Sequence, residues 1–253
     1  MKPIKTFIYS VIDIFFPRGI PRIINGTTIR FPAKWSRLFR DGFEKDNFEF
    51  AKQCVPIGGT VLDIGAHIGV FSVYLSTLTG KKGKVYAFEP TPYTFGILNK
   101  IIKLNRGYGG EIVACPFAVN NKAGEINFNI IPGTAYVANS LVNVKNTVSI
   151  KVKMISIDEF CNEKQLRIDF MKIDAEGAEF SILSGAKKTF MIDRPRAHLG
   201  LHPWQIKAMG NSLDQIWDLL IQYKLKVQLA GKPITKEWFC SQVELFDVEL
   251  TPQ

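Results

Sequence analysis

The chain has 253 residues, 46% hydrophobic and 22% charged, the composition of a folded globular protein, which excludes a disordered or fibrous chain. At that length a sizeable core is buried without disulfides or metal to hold it. The net charge is +9, and it is uneven: residues 1–40 hold eight bases (Lys2, Lys5, Arg18, Arg22, Arg30, Lys34, Arg37, Arg40) and one acid, Asp13, so that segment carries +7 and residues 41–253 only +2.

In chain order, Thr6, Ser10 and Asp13 recur at helical spacing, with Phe7, Val11, Ile14 and Phe15 on the other side. This predicts an amphipathic helix stopped by Pro17, Gly19 and Pro21. Its apolar stripe is expected to pack on the main domain, with a membrane-surface role as the alternative. Asp13 interrupts the apolar run, and Phe15-Phe16-Pro17 stands where a signal peptide would have a small-residue cleavage site. The run also falls short of the ~20 apolar residues that span a bilayer. Asn25-Gly26, flanked by Ile24 and Ile29, predicts a two-residue hairpin, and Asn25-Gly26-Thr27 is read as that turn rather than as a glycosylation site. A short helix is expected over Asn47–Val55, ended by Pro56, Gly58 and Gly59.

From Thr60 the pattern alternates strand and helix. Strands are predicted at Thr60–Gly65, Lys84–Glu89, Glu111–Val119 and Phe170–Asp174. Helices are predicted at Val70–Leu78, at Tyr93–Leu104, and through Phe180, Leu183 and Ala186. This alternation makes an α/β chain with a doubly wound, mostly parallel sheet. The rhythm breaks at Glu125–Ile130 and Val148–Ile157, an expected β-hairpin excursion whose connecting loop holds Pro132, Gly133, Asn139 and Ser140 and would serve as a lid or substrate-binding element. A strand at His198–Leu201, a helix at Leu213–Tyr223 and strands near Val227 and Val243 complete the order. Residues 1–50 are read as a basic helix/hairpin extension and 51–253 as the main α/β domain. Cys54, Cys115, Cys161 and Cys240 lie far apart with no C-x-x-C, so they are read as reduced thiols in a cytoplasmic chain, with no structural zinc site.

The turn after the first strand of the alternating region reads Asp63-Ile-Gly65-Ala-His-Ile-Gly69. Glycines there let the backbone approach a ligand, and the next helix offers free N–H groups. Their spacing is not that of a dinucleotide fingerprint, and no G-x-x-x-x-G-K-[ST] occurs, which disfavours a nucleotide triphosphatase. An acid immediately before the loop suits a cationic ligand better than a pyrophosphate. Glu89 ends the second of these strands, where a carboxylate accepts hydrogen bonds from ribose hydroxyls.

Asp63, the spaced glycines and Glu89, in order on consecutive strands, resemble the cofactor site of class I S-adenosylmethionine-dependent methyltransferases. Val61 to Gly69, Phe88-Glu-Pro90, Asn105, Ala118 and, most specifically, Asp169-Phe-Met-Lys-Ile-Asp-Ala-Glu-Gly-Ala-Glu179 resemble the FkbM family of methyltransferases, from about Gly58 to about Pro203. The resemblance implies a Rossmann-like fold, S-adenosylmethionine as cofactor and methylation of a hydroxyl on a sugar, glycan or natural product. It implies that Asp63, Gly65, Ala66 and Gly69 line the methionine and ribose part of the cofactor, with His67 in the loop beside it. Glu89 would take the ribose hydroxyls, and Phe117 and Ala118 would flank the adenine. Asp174 and His202 are the candidate bases. Glu179 is read as a residue of the first helical turn facing the helix dipole. Members of the family often carry a carboxylate two residues before the histidine, and here that position is Gly200.

No metal site is expected. A small-molecule or glycan acceptor is expected rather than nucleic acid, because no [ND]-P-P-[YF] tetrapeptide occurs and the near-neutral catalytic part has no electrostatic reason to bind a polyanion. An RNA methyltransferase and an inactive binding module remain the alternatives. Residues 1–40 would cover the active site, contact an anionic acceptor, or touch the inner face of the membrane.

Overall fold

A computed structural model describes residues 2–130 and 148–253. Helix α1 (Lys2–Phe15) leads into a hairpin of β1 (Ile20–Ile24) and β2 (Thr27–Phe31). Asn25 and Gly26 both take positive φ at its tip, as a two-residue turn requires. Helix α2 (Lys45–Cys54) follows. Then β3 (Thr60–Ile64), α3 (Val70–Thr79), β4 (Lys84–Phe88), α4 (Pro92–Leu104) and β5 (Glu111–Cys115) alternate as expected.

The strand expected over Glu111–Val119 is two strands. Pro116, which has no N–H for a ladder, separates β5 from β6 (Ala118–Val119), and β6 joins a different sheet. That second sheet, in the order β6-β8-β7, includes β7 (Gly124–Ile130) and β8 (Val148–Ile155), so the expected hairpin excursion has a third strand beside it. The loop proposed as a lid, with Pro132, Gly133, Asn139 and Ser140, lies outside the described residues. Helix α5 (Ile157–Lys164) starts at a reciprocal cap: the Ser156 hydroxyl accepts from the Glu159 N–H, and the Glu159 carboxylate accepts from the Ser156 N–H.

Strand β9 (Phe170–Ile173) precedes α6 (Glu179–Ser184) and α7 (Lys187–Ile192). These replace the single helix expected through Ala186. The break falls at Gly185, where a Cβ would stand 2.5 Å from the Asn120 carbonyl oxygen, so the close-packed backbone turns there. Strand β10 (Arg196–Leu201), α8 (Pro203–Ala208), α9 (Leu213–Gln222), β11 (Leu225–Leu229), β12 (Lys232–Pro233), α10 (Lys236–Cys240) and β13 (Phe246–Pro252) end the chain. The strand expected near Val243 lies a few residues later. Val243 itself is exposed in the segment between α10 and β13.

Among the described residues the main sheet runs β12-β11-β13-β10-β9-β3-β4-β5. Strands β10, β9, β3, β4 and β5 are parallel, and β13 is inserted antiparallel between β10 and β11. The chain runs outward from β3 to β5 and returns to β9 on the other side of β3. The switch point therefore lies between β3 and β9, and a crevice opens at their carboxyl ends. Alternation along β3 feeds both faces: Leu62 and Ile64 join a core with α6 and α9, while Val61 joins one with α2 and α3.

The hairpin is part of that second core. Ile24, Ile29 and Phe31 are fully buried in it, each worth about 2 kcal/mol of transfer. Asn105 docks the hairpin edge, accepting from the Arg30 N–H and donating to the Arg30 carbonyl oxygen. The expectation that α1 packs its apolar stripe on the domain is not met. Of the expected stripe, Phe7, Ile14 and Phe15 are exposed and Val11 is half-buried, as are Tyr9 and Ile12; Ile8 is exposed too, and the Asp13 carboxylate accepts from the Ala33 N–H at 2.7 Å. No described helix is long and apolar enough to cross a membrane.

Candidate active site

At the switch point the chain encloses a cavity of about 270 Å³. Its floor is the turn after β3. Gly65 takes φ 76°, and a Cβ there would overlap the Asp174 carbonyl oxygen, so the turn and the end of β9 touch backbone to backbone. The N–H groups of Gly65 and Ala66 both donate to the Phe88 carbonyl oxygen, which ties the turn to β4. His67, also at positive φ, completes the turn, and Gly69 begins α3.

Of the residues expected to contact a ligand, Gly65, Ala66, His67, Glu89, Phe117, Ala118 and Asp174 line this cavity. Three do not. Asp63 is fully buried behind the floor because its position on β3 faces α3, where its carboxylate accepts from the Ser72 hydroxyl. Gly69 lies beneath Leu98, where a Cβ would crowd that side chain. His202 stands behind Asp174 and Glu176. The cationic counterpart of Asp63 is thus internal, a lysine of the protein rather than a ligand.

That lysine is Lys172, an alternate position of β9 among Phe170, Met171 and Ile173. Its Nζ lies 3.2 Å from Asp174, 3.9 Å from Asp63 and 3.2 Å from the Gly65 carbonyl oxygen, to which it donates. Burial alone would lower its pKa, but Asp174 and Asp63 outweigh burial and hold the ammonium charged. For Asp174 burial works upward, yet Lys172 and His202 hold its carboxyl below the usual range. Burial dominates at Asp63, whose pKa is raised.

A second cluster stands beside the first. His202 Nδ1 lies 2.9 Å from Glu179, and Nε2 lies 3.6 Å from both Asp174 and Glu176. Burial lowers the affinity of this ring for a proton, but the bond to Glu179 and the three carboxylates push its pKa up to about 9. The same surroundings favour the charged form of the ring over the neutral form that a base requires. Glu179, expected only as a helix-dipole residue, is the buried partner that fixes this ring and also accepts from the Gly177 N–H. Glu176, held at positive φ, lines the cavity, and burial raises its pKa to about 7. Next to Asp174, the place left open by Gly200 is filled from across the sheet: Asp247, its partner on β13, brings a carboxylate oxygen 3.1 Å from where a Gly200 Cβ would be.

Phe39, Phe43 and Glu44 also line the cavity, so the amino-terminal segment reaches the site as one of its expected roles required, although none of these side chains was expected by number. Nothing local marks these residues. Lys172 did carry a signal, a lysine alternating with apolar residues in a buried strand, which needs a counter-charge. The charge on His202 has a thermodynamic consequence. Its folded pKa of about 9 exceeds the ordinary 6.5, so its contribution is complete below pH 6.5 and is lost as pH rises through 9. His202→Gln is thus expected to lower unfolding free energy by about 3 kcal/mol at pH 6 and by much less at pH 10, measured by urea denaturation across that range.

Residues 63–227 match the Methyltransferase FkbM domain. The chain is 29% identical over 124 residues to Hexuronic acid methyltransferase AglP of Haloferax volcanii, covering 49% of this chain and 48% of that protein. It is 23% identical over 178 residues to Methyltransferase sdnD of Sordaria araneosa, covering 58% and 67%. It therefore spans about half the length of the first relative. The crystal structure of Methyltransferase FkbM from Methylobacillus flagellatus has a similar fold, with a TM-score of 0.50 at 14% identity over 81% of this chain and 51% of that one. With the domain match covering most of the chain, from the Asp63 turn through β10 and α9 to β11, the protein belongs to the FkbM methyltransferase family.

Proposed function

We propose that this chain transfers a methyl group from S-adenosylmethionine to a hydroxyl of a sugar, glycan or natural-product acceptor. The observation that carries the reading is Glu89. This carboxylate is 6% exposed at the end of β4 and lines the cavity. One of its oxygens accepts from the Thr91 N–H, and burial pushes its pKa up to about 7. Thr91 and the His67 N–H hold this carboxylate in place, and a ribose diol would supply two further donors to its remaining acceptor capacity at the cavity. The rest of the lining fits the same ligand. The glycine turn admits close backbone approach, Phe88, Phe117 and Phe128 offer apolar walls, and Glu44, Glu89, Asp174 and Glu176 outnumber Lys172, which suits a sulfonium. When bound, the cofactor supplies an already activated methyl group.

What remains for the protein is to align the acceptor and remove its proton. Asp174, kept ionised by Lys172 and His202, orients the acceptor hydroxyl as a hydrogen-bond acceptor. Glu176 has a pKa near neutrality and takes the proton. Protonated His202 is a positioning residue that holds both carboxylates. The hexuronic acid methyltransferase relative supports a sugar acceptor, whose hydroxyls the carboxylates of the lining can bind.

Calorimetry with S-adenosylhomocysteine tests the cofactor half. Binding is expected, and Glu89→Gln should weaken it by roughly tenfold to a hundredfold. Because Glu89 gains protons below about pH 7 and then loses acceptor capacity, wild-type affinity should rise from pH 6 to pH 8. No binding to the intact protein overturns the proposal. For the acceptor half, product formation with a panel of hexoses and hexuronic acids should fall at least about a hundredfold in Glu176→Gln, while affinity for S-adenosylhomocysteine, which carries no sulfonium charge, is little changed.

A further inference from the structure

We propose that α1 is an interfacial helix that lies on an anionic lipid bilayer, with its apolar face among the lipid chains and the basic residues that follow it on the headgroups. This proposal is independent of the methyltransferase reading. Phe7, Ile8, Ile14 and Phe15 lie on one side of α1, and Phe7, Ile14 and Phe15 are 71%, 74% and 76% exposed. An apolar stripe that wide is normally buried against the domain, yet here it faces outward, while Asp13 on the opposite side accepts from the Ala33 N–H. Ile23 and Leu38 add two more exposed apolar side chains in the same segment.

Charge selects the occupant. Arg18, Arg22, Lys34, Arg37 and Arg40 are all exposed, in a stretch of forty residues that carries +7. A second copy of the chain would receive the apolar face but would bring another +7 against the first. A nucleic acid would receive the charge but offers no apolar volume for Phe7, Ile14 and Phe15. A bilayer with anionic headgroups satisfies both, through apolar insertion at the headgroup boundary and roughly a fivefold gain in affinity for each Lys or Arg near the surface.

The test is flotation of the full chain with vesicles of phosphatidylglycerol mixed with phosphatidylcholine, and with vesicles of phosphatidylcholine alone. The wild type should float with the anionic vesicles, weakly with the neutral ones, and less as salt is raised. Ile14→Glu/Phe15→Glu should lose at least about tenfold in partitioning, with an unchanged thermal midpoint because both side chains are exposed. Phe7→Glu, one turn or more away, should reproduce the loss in part, and Arg37→Glu/Arg40→Glu should lose binding to anionic vesicles while binding neutral ones as before. Absence of flotation overturns the proposal, as does full binding by both apolar variants. Sedimentation showing a dimer that the apolar variants dissociate would assign the face to a second copy. Tighter binding to an RNA duplex than to vesicles would assign the charge to nucleic acid.

Discussion

Gly65→Ala is expected to unfold at markedly lower urea, with a loss of about 3–5 kcal/mol, and to reduce methyl transfer by roughly 100-fold. Two costs combine. The residue sits at φ 76°, where a Cβ costs about 1–2 kcal/mol. The added carbon would also overlap the Asp174 carbonyl oxygen, and that atom belongs to backbone, so no side chain can rotate away. Relief requires parting β3 from β9 at the point where their carboxyl ends form the floor of the cavity. Gly58→Ala is the internal control. Gly58 has a similar φ of 81°, but the nearest atom to a Cβ there is the Lys82 Cβ at 4.0 Å, so only the conformational cost of about 1 kcal/mol is expected. Equal losses in the two variants would show that backbone conformation, not close approach, is what Gly65 provides.

Removing Lys172 should have a comparable effect for an electrostatic reason. Lys172→Met leaves Asp63 buried at 0% exposure, with Ser72 as its hydrogen-bond partner and no counter-charge. Breaking a buried pair from one side costs about 3–5 kcal/mol. Asp63 and Asp174 would both shift their pKa upward on losing the ammonium, so the folded variant takes up protons that the unfolded chain releases. Its deficit should therefore grow as pH rises from 5 to 8. Lys172→Met/Asp63→Asn removes both charges from the pair and should recover about half of the loss. Urea denaturation of the single and double variants gives the coupling directly, expected at about 2 kcal/mol. Additive losses would mean that Asp63 does not depend on Lys172, and the buried pair would not be what joins β3 to β9.

Both effects act through the contact of β3 with β9, and that contact was only half legible in the chain. Local periodicity gave the alternation from Thr60 to Leu201, the hairpin at Asn25-Gly26 and the turn at Asp63 to Gly69, because each depends on neighbours a few residues away. It failed where a neighbour in space overrode the pattern. Pro116 divides what reads as one strand, and Gly185 breaks what reads as one helix against the Asn120 backbone. The apolar stripe of α1 has the spacing of a packed helix and is nonetheless exposed.

The site divides in the same way. The glycine turn, Glu89 and Asp174 were marked by their places at strand ends, which the order of elements fixes. By itself the sequence determined the kind of sheet, the position of the crevice and the family, since all three follow from local periodicity and a contiguous motif. Only the tertiary structure decided which charges meet. It turned Asp63 inward onto Lys172, surrounded His202 with three carboxylates so that it holds a proton, set Asp247 beside the gap at Gly200, and brought Phe39, Phe43 and Glu44 over the cavity. A pKa and a cavity wall are sums over neighbours in space, and those neighbours are fixed by strand pairing and packing between segments far apart in the chain.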